Sequence, residues 1–66
     1  NNPFTDYIVI NNLTGDEYFN LINISGQLVF DGYFIQQTDL SFLHNGIYFL
    51  KAENKSGIKF AKLLKQ

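Results

Sequence analysis

Hydrophobic and polar residues alternate along this chain in short stretches that are separated by turn-forming residues. Alternation with a period of two places successive side chains on opposite faces of a strand. β-Branched and aromatic residues fill these stretches, and glycine, asparagine and serine fill the gaps between them. The pattern predicts strands at residues 7–11, 18–24, 28–30, 33–37, 47–53 and 58–65.

The connections between the predicted strands are short. None contains a helix-period segment long enough for a parallel crossover, so the sheet is expected to be antiparallel. The clearest hairpin turns at residues 25–27, and the last two predicted strands are joined by a loop at residues 54–57. Gly32 suggests a bulge or a bend. Strands at this spacing favour a β-sandwich or a barrel.

Residues 39–45 interrupt the strand pattern. Asp39 or Ser41 could cap a single helical turn through its side-chain oxygen. Leu40 and Leu43 would then pin that turn to the core, and Gly46 would end it. We expect this segment to lead directly into the strong strand at residues 47–53.

Composition excludes several kinds of chemistry. The chain has 66 residues, a formal net charge of −1, one histidine and no cysteine. The lack of cysteine removes thiolate catalysis, thiolate metal sites and disulfides, and a lone His44 excludes a multi-histidine metal site. A chain of this length forms one small core. We therefore expect a single domain over residues 1–66 without a cofactor.

The charge distribution argues against nucleic-acid binding. All five cations are lysines, whereas phosphate recognition favours the planar fork of arginine and a basic surface. No apolar run approaches the roughly 20 residues that span a bilayer, so we expect no membrane span. The cations all lie in the last quarter of the chain, at Lys51, Lys55, Lys59, Lys62 and Lys65.

Three polar residues that lie close together in sequence do not make a catalytic site. Asp39, Ser41 and His44 match a hydrolytic triad in type, but triad members converge from separate elements and no nucleophile elbow is present. Turn capping explains them better. Scattered aspartate and asparagine oxygens could bind calcium, although no dedicated calcium loop occurs. We therefore expect a protein that is not an enzyme.

Several short motifs follow one another in an order that is typical of one family. They are Asn2-Pro3-Phe4, the hairpin at residues 21–29, the block Asp39-Leu40-Ser41-x-Leu43-x-x-Gly46-Ile47-Tyr48, and the final Lys62-Leu63-Leu64-Lys65. Together they cover nearly the whole chain. The chain resembles the type A C-terminal sorting domain of proteins exported by the type IX secretion system of Bacteroidetes. Asn23 departs from the family pattern, which often has aspartate there.

The resemblance implies a fold and a function. Members of this family form a small immunoglobulin-like antiparallel β-sandwich, here expected to have about seven short strands, at the end of a larger cargo protein. The type IX outer-membrane translocon reads them as an export address. A sortase-like cysteine peptidase commonly removes them and can attach the cargo to surface lipopolysaccharide. We therefore expect a non-catalytic secretion signal whose N-terminal cargo crosses the periplasm and is secreted or displayed on the cell surface.

The resemblance also marks the residues that the translocon is expected to read. They are Asn2, Pro3, Phe4, Gly26, Asp39, Leu40, Ser41, Gly46, Ile47, Tyr48, Lys62 and Lys65. We further expect the last strand, residues 58–65, to offer an exposed edge that a partner captures by strand addition. Its lysines would oppose self-pairing and present a positive patch.

A second class of function stays open at this level. Phenylalanine and tyrosine side chains on a small β-sandwich can bind carbohydrate or mediate adhesion, although aromatics on alternating strands more often form the core. Such a module would show an exposed aromatic patch or a metal-lined concave site, which a sorting domain would lack. Exposed strand edges also predict a weak homodimer.

Overall fold

The computed structural model describes residues 2–66, and for Asn2 only the backbone. Within these residues five strands form one sheet in the spatial order β1-β5-β4-β2-β3. The all-β prediction is confirmed, with five strands where about seven were expected. The elements are β1 (Asn2–Phe4), β2 (Tyr18–Asn23), β3 (Leu28–Tyr33), a 3-10 turn (Ile35–Gln37), β4 (Gly46–Asn54) and β5 (Gly57–Lys65).

Both hairpins that the turn residues predict are present. The β2–β3 turn places Gly26 at a φ of 86°, a conformation that favours glycine. β4 and β5 pair along their whole length around a two-residue loop. The register of β2 against β3 shifts between Leu21 and Ile22, whereas Gly32 keeps its place in the ladder opposite Phe19. The irregularity therefore lies at a different position from the one expected.

Two of the predicted strands are wrong. Residues 7–11 cross the sheet as irregular chain that buries Ile8, and Asn12 then takes a positive φ of 62°. β3 ends at Tyr33 because Phe34 adopts a left-handed conformation, and the 3-10 turn after it buries Ile35 completely. Ile8 and Ile35 therefore reach the core from backbone that belongs to no sheet.

The two ends of the described chain pair with each other. β1 runs parallel to β5, with Asn2 beside Leu63 and Phe4 beside Lys65. The Gln66 N–H extends this contact by donating to the Phe4 carbonyl oxygen at 2.8 Å. The sheet is therefore mixed, and the prediction of a purely antiparallel sheet is wrong for this pair.

One face of the sheet is covered and the other is open. The covering layer consists of irregular segments before β2 and between β3 and β4, and it occupies the place of the second sheet of a sandwich. The Leu40 N–H donates to the Asp6 carbonyl oxygen at 2.7 Å and so joins these two segments. The core between the layers contains Phe4, Ile8, Phe19, Leu21, Ile35, Leu40, Tyr48, Leu50 and Leu63.

Candidate functional site

Motifs that lie far apart in sequence meet at one end of the sheet. The three residues of β1 lie beside the end of β5, which lies beside the start of β4. The end of β2 and the β2–β3 turn follow on the far side of β4. We call this region the motif end and define it as residues 2–4, 23–27, 39–48 and 62–66.

The block at residues 39–45 forms a tight turn rather than a helical turn. The Asp39 carboxylate accepts the Ser41 N–H at 2.9 Å, which confirms the predicted capping role of Asp39. The Leu43 N–H donates to the Leu40 carbonyl oxygen at 3.1 Å and closes the turn. Leu40 is 0% exposed, so it anchors the turn in the core and leaves Asp39 and Ser41 at the surface.

The carboxylate of Asp39 is held in its charged form. The main-chain hydrogen bond from Ser41 is the largest cause, and the Ser41 side chain adds to it; together they lower the pKa of Asp39 below its usual value. The positive charge of Lys65 acts in the same direction. The motif end therefore presents a fixed negative charge at its surface.

Gly46 and Tyr48 serve the backbone and the core. Gly46 has a φ of 147°, and a Cβ placed there would meet no atom within 4 Å, so the conformation rather than the space favours glycine. The Tyr48 ring is buried and packs edge-on against Phe4 with 6.4 Å between ring centroids. Its hydroxyl donates to the His44 carbonyl oxygen at 2.7 Å. These contacts join β1, β4 and the preceding turn.

Asn23 organises the turn that contains Gly26. Its side-chain oxygen accepts the N–H groups of Ser25 at 3.0 Å and Gln27 at 2.9 Å. An aspartate could accept both bonds equally well. The Asn23 amide also donates to the Gln27 side chain at 2.9 Å, which a carboxylate could not do. Asparagine in place of the family's aspartate at position 23 therefore keeps the hydrogen bonds that hold the turn and removes the negative charge.

The two final lysines have different environments. Lys62 is exposed on the open face of the sheet, opposite Phe49. Lys65 is only 6% exposed and donates to the Gln66 carbonyl oxygen at 3.1 Å. The prediction of a positive patch along the last strand is therefore wrong for Lys65, whose aliphatic stem belongs to the covered side.

Two exposed apolar residues at the motif end were not predicted as site residues. Ile24 is 73% exposed beside the β2–β3 turn, and Phe42 is 68% exposed at the tip of the turn that Asp39 caps. A shallow depression of about 170 Å³ lies between the β2–β3 turn and the start of β4. Phe42 could have been found from the sequence, because Leu40 and Leu43 already point to the core and a third apolar residue in so tight a turn must face outward.

The predicted open edge of the last strand exists only in part. β1 covers residues 63–65 of β5, whereas residues 57–62 have no neighbouring strand on that side within the described chain. A cleft of about 440 Å³ lies along this uncovered part, at the end of the sheet opposite the motif end.

The described residues offer no candidate metal centre. Within residues 2–66 no three histidine, aspartate or glutamate side chains are grouped so that they could hold a metal ion. In the same residues, no helix combines the length and the apolar character needed to cross a bilayer.

Comparison with known proteins assigns the chain to a family. The comparison with curated proteins gave no match. The family described as the secretion system C-terminal sorting domain matches residues 2–66. This match supports the predicted secretion function and gives no support to the carbohydrate-binding alternative. The family is a sorting signal rather than a catalytic one. The chain therefore belongs to the secretion system C-terminal sorting domain family, the type IX sorting signal that directs export across the outer membrane.

Proposed function

We propose that the motif end is the surface by which the type IX translocon recognises this domain. The observation that carries the proposal is the convergence of four sequence segments, from both chain ends and from two turns, on one end of the sheet. A protein that needed these residues only for folding would not need to gather its exposed motif residues in one place.

The motif residues divide into a supporting group and a presenting group. Phe4, Leu40, Tyr48 and Lys65 are buried and fix the positions of the turns. The exposed motif residues form the presenting group, which is available for direct contact with the translocon. Ile24 and Phe42 add apolar area to this group. Such a surface suits a partner with apolar contacts and separate polar contacts for Asp39 and Lys62. The presenting group consists of Pro3, Gly26, Asp39, Ser41 and Lys62.

Removal of residues 62–66 would not test this proposal. The truncation would delete the buried Leu63 and all three partners of β1 on β5, so loss of export would report unfolding. Substitutions of exposed residues are the better test, because they leave the core and the ladder intact.

The decisive experiment is an export assay with a fluorescent cargo that carries a Sec signal and this domain at its C-terminus. We expect the double substitution Ile24→Ser and Phe42→Ser to reduce the exported fraction about tenfold, the effect of losing contacts worth about 1.4 kcal/mol. Val9→Ser is the control, since Val9 is 86% exposed and lies outside the motif end. Normal export of the double variant, with an unchanged thermal unfolding midpoint, would disprove the proposal.

We also propose that a sortase-like cysteine peptidase removes the domain after export and that the cargo is then anchored at the cell surface. Mass spectrometry of the exported cargo should show a C-terminus upstream of residue 2. In cells without the peptidase the cargo should keep residues 2–66. Exported wild-type cargo that retains the whole domain would contradict this second proposal and would leave the recognition proposal unaffected.

A further inference from the structure

An asparagine that precedes a glycine stands at the entry to β4. Asn45-Gly46 is the one such pair in the sequence. The main-chain nitrogen of the following residue can attack the side-chain carbonyl carbon of an asparagine, which makes asparagine one of the thermolabile residues. Glycine has no Cβ and therefore lets this nitrogen approach most closely. The pair is a candidate for covalent modification, a property that the secretion function does not use.

The surroundings of Asn45 leave its side chain open to reaction. Asn45 is exposed, and its side chain forms no hydrogen bond with another described residue. It lines the shallow depression of about 170 Å³ at the motif end, so water reaches it. A Cβ placed on Gly46 would meet no atom within 4 Å, which shows that there is open space beside the attacking nitrogen.

Other asparagines are held in place or hindered. The side-chain oxygen of Asn23 accepts two main-chain N–H groups, and that of Asn54 accepts a main-chain N–H at 2.9 Å. Asn20 lies within β2, which has a strand on each side. Asn12 is exposed like Asn45, but the residue that follows it is a leucine, whose side chain crowds the attacking nitrogen. We therefore expect reaction at Asn45 before any of these positions.

Two contacts restrain the main chain around Asn45. Gly46 forms the last pair of the β4–β5 ladder, opposite Lys65. Pairs at the end of a ladder open at little cost in free energy, so this pair alone does not prevent the attack. The Tyr48 hydroxyl donates to the His44 carbonyl oxygen at 2.7 Å and so ties together the residues on either side of the pair. Opening this hydrogen bond is the step that frees the main chain to reach the reactive geometry.

We propose that Asn45 is a site of spontaneous deamidation and that the Tyr48 hydroxyl sets its rate. The Gly46 nitrogen gives up its proton and forms a bond to Cγ of Asn45, while the bond from Cγ to the side-chain nitrogen breaks and ammonia leaves. Water then opens the resulting cyclic imide at one or the other of its carbonyl groups. The products are aspartate and isoaspartate at position 45, and no oxidant, reductant or cofactor takes part.

Either product changes the surface of the motif end. A carboxylate at position 45 makes the formal net charge one unit more negative than the −1 of the encoded chain. It adds to an end of the sheet that already presents the carboxylate of Asp39. Isoaspartate also inserts an extra carbon into the main chain between His44 and Gly46, which the Tyr48 hydrogen bond spans. The motif end therefore ages from one form to another, and this chemistry does not depend on translocon recognition.

The test is incubation of the folded 66-residue chain at mildly alkaline pH, followed by peptide mass spectrometry of samples taken over days. We expect Asn45 to convert at least about tenfold faster than Asn12 or Asn54, because only Asn45 is followed by glycine. The rate should rise with pH, since the attacking nitrogen must lose its proton. Equal rates at the three asparagines, or an undiminished mass gain in Asn45→Ser, would overturn the assignment of the site.

Tyr48→Phe tests the role of the hydroxyl. We expect this variant to convert Asn45 about fivefold faster than wild type, the effect of losing one hydrogen bond. Leu13→Ala is the matched control, because it loosens packing at the opposite end of the sheet and leaves residues 44–48 unchanged. This control keeps the test valid if Tyr48→Phe destabilises the whole domain. A rate in Tyr48→Phe no higher than in Leu13→Ala would overturn the role of the hydroxyl.

Discussion

The two ends of the sheet are built from the same strands but are closed to different degrees. At the motif end, β1 pairs with β5, and Leu40 and Tyr48 fill the space beneath the covering turn. At the opposite end the segment with Ile10 and Leu13 stands away from β5 and leaves a cleft. The last three residues of β5 therefore have a strand on each side, whereas residues 57–62 have a neighbouring strand only on the β4 side within the described chain.

The largest expected difference between the ends is in packing. Leu40→Ala at the motif end should lower the free energy of unfolding by about 2–5 kcal/mol, because it empties a fully buried site. Leu13→Ala at the cleft should cost about 1 kcal/mol, because that side chain is only half-buried. Urea denaturation of both variants measures the contrast. Equal losses would show that the two ends are equally well packed.

A smaller effect is expected from two tyrosine hydroxyls. Tyr48→Phe should cost about 1 kcal/mol, since it leaves the partly buried His44 carbonyl oxygen without its donor. Tyr18→Phe removes a hydroxyl that donates to the Asp31 carboxylate at an exposed site, and it should change stability by less than about 0.5 kcal/mol. Thermal unfolding of the pair is the measurement. A larger loss for Tyr18→Phe would reverse the comparison.

The smallest effect concerns pH at the cleft end. The N–H groups of Thr14 and Gly15 donate to the Glu17 carboxylate at 2.8 and 3.0 Å. These hydrogen bonds, chiefly the one from Thr14, lower the pKa of Glu17 from 4.5 to about 2. Because the folded-state pKa is the lower one, the stabilisation is present above pH 4.5 and disappears as the pH falls toward about 2.

Glu17→Gln should therefore lose less stability than wild type between pH 4.5 and about 2. Urea midpoints across this range measure the difference. Asp39→Asn makes the corresponding change at the motif end, where the pKa is also lowered. Profiles of wild type and Glu17→Gln that run parallel through the whole acid range would show that this loop contributes nothing to the acid response.

Local patterns in the sequence predicted the features that depend on neighbouring residues. Both hairpins follow from turn residues beside alternating strands, and the role of Asp39 follows from the preference of aspartate for turn caps. The burial of Leu40, with Leu43 partly buried beside the core, agrees with the prediction that these two residues pin the turn to the core. These features involve residues that lie near one another along the chain, at most 19 positions apart in the β4–β5 hairpin, where Gly46 pairs with Lys65.

The features that escaped prediction depend on distant residues. The alternation of Ile8 and Ile10 predicted a strand. In the structure β1 takes the place beside β5, and the segment with Ile8 is irregular chain whose Ile8 side chain is buried in the core. A three-residue strand that contains Pro3 has no strand pattern of its own. The left-handed conformation of Phe34 could not be predicted from the sequence either. This conformation is held by the 3-10 turn that follows, in which Ile35 is buried.

The parallel pairing of β1 with β5 has a mechanical consequence. A force that pulls the cargo away from residue 2 while Gln66 is held draws the two strands past each other along their length. Their hydrogen bonds are then loaded together in shear instead of being peeled apart one by one. The domain should resist stretching through its termini more strongly than stretching applied across the β4–β5 hairpin, where the pairs would separate in sequence.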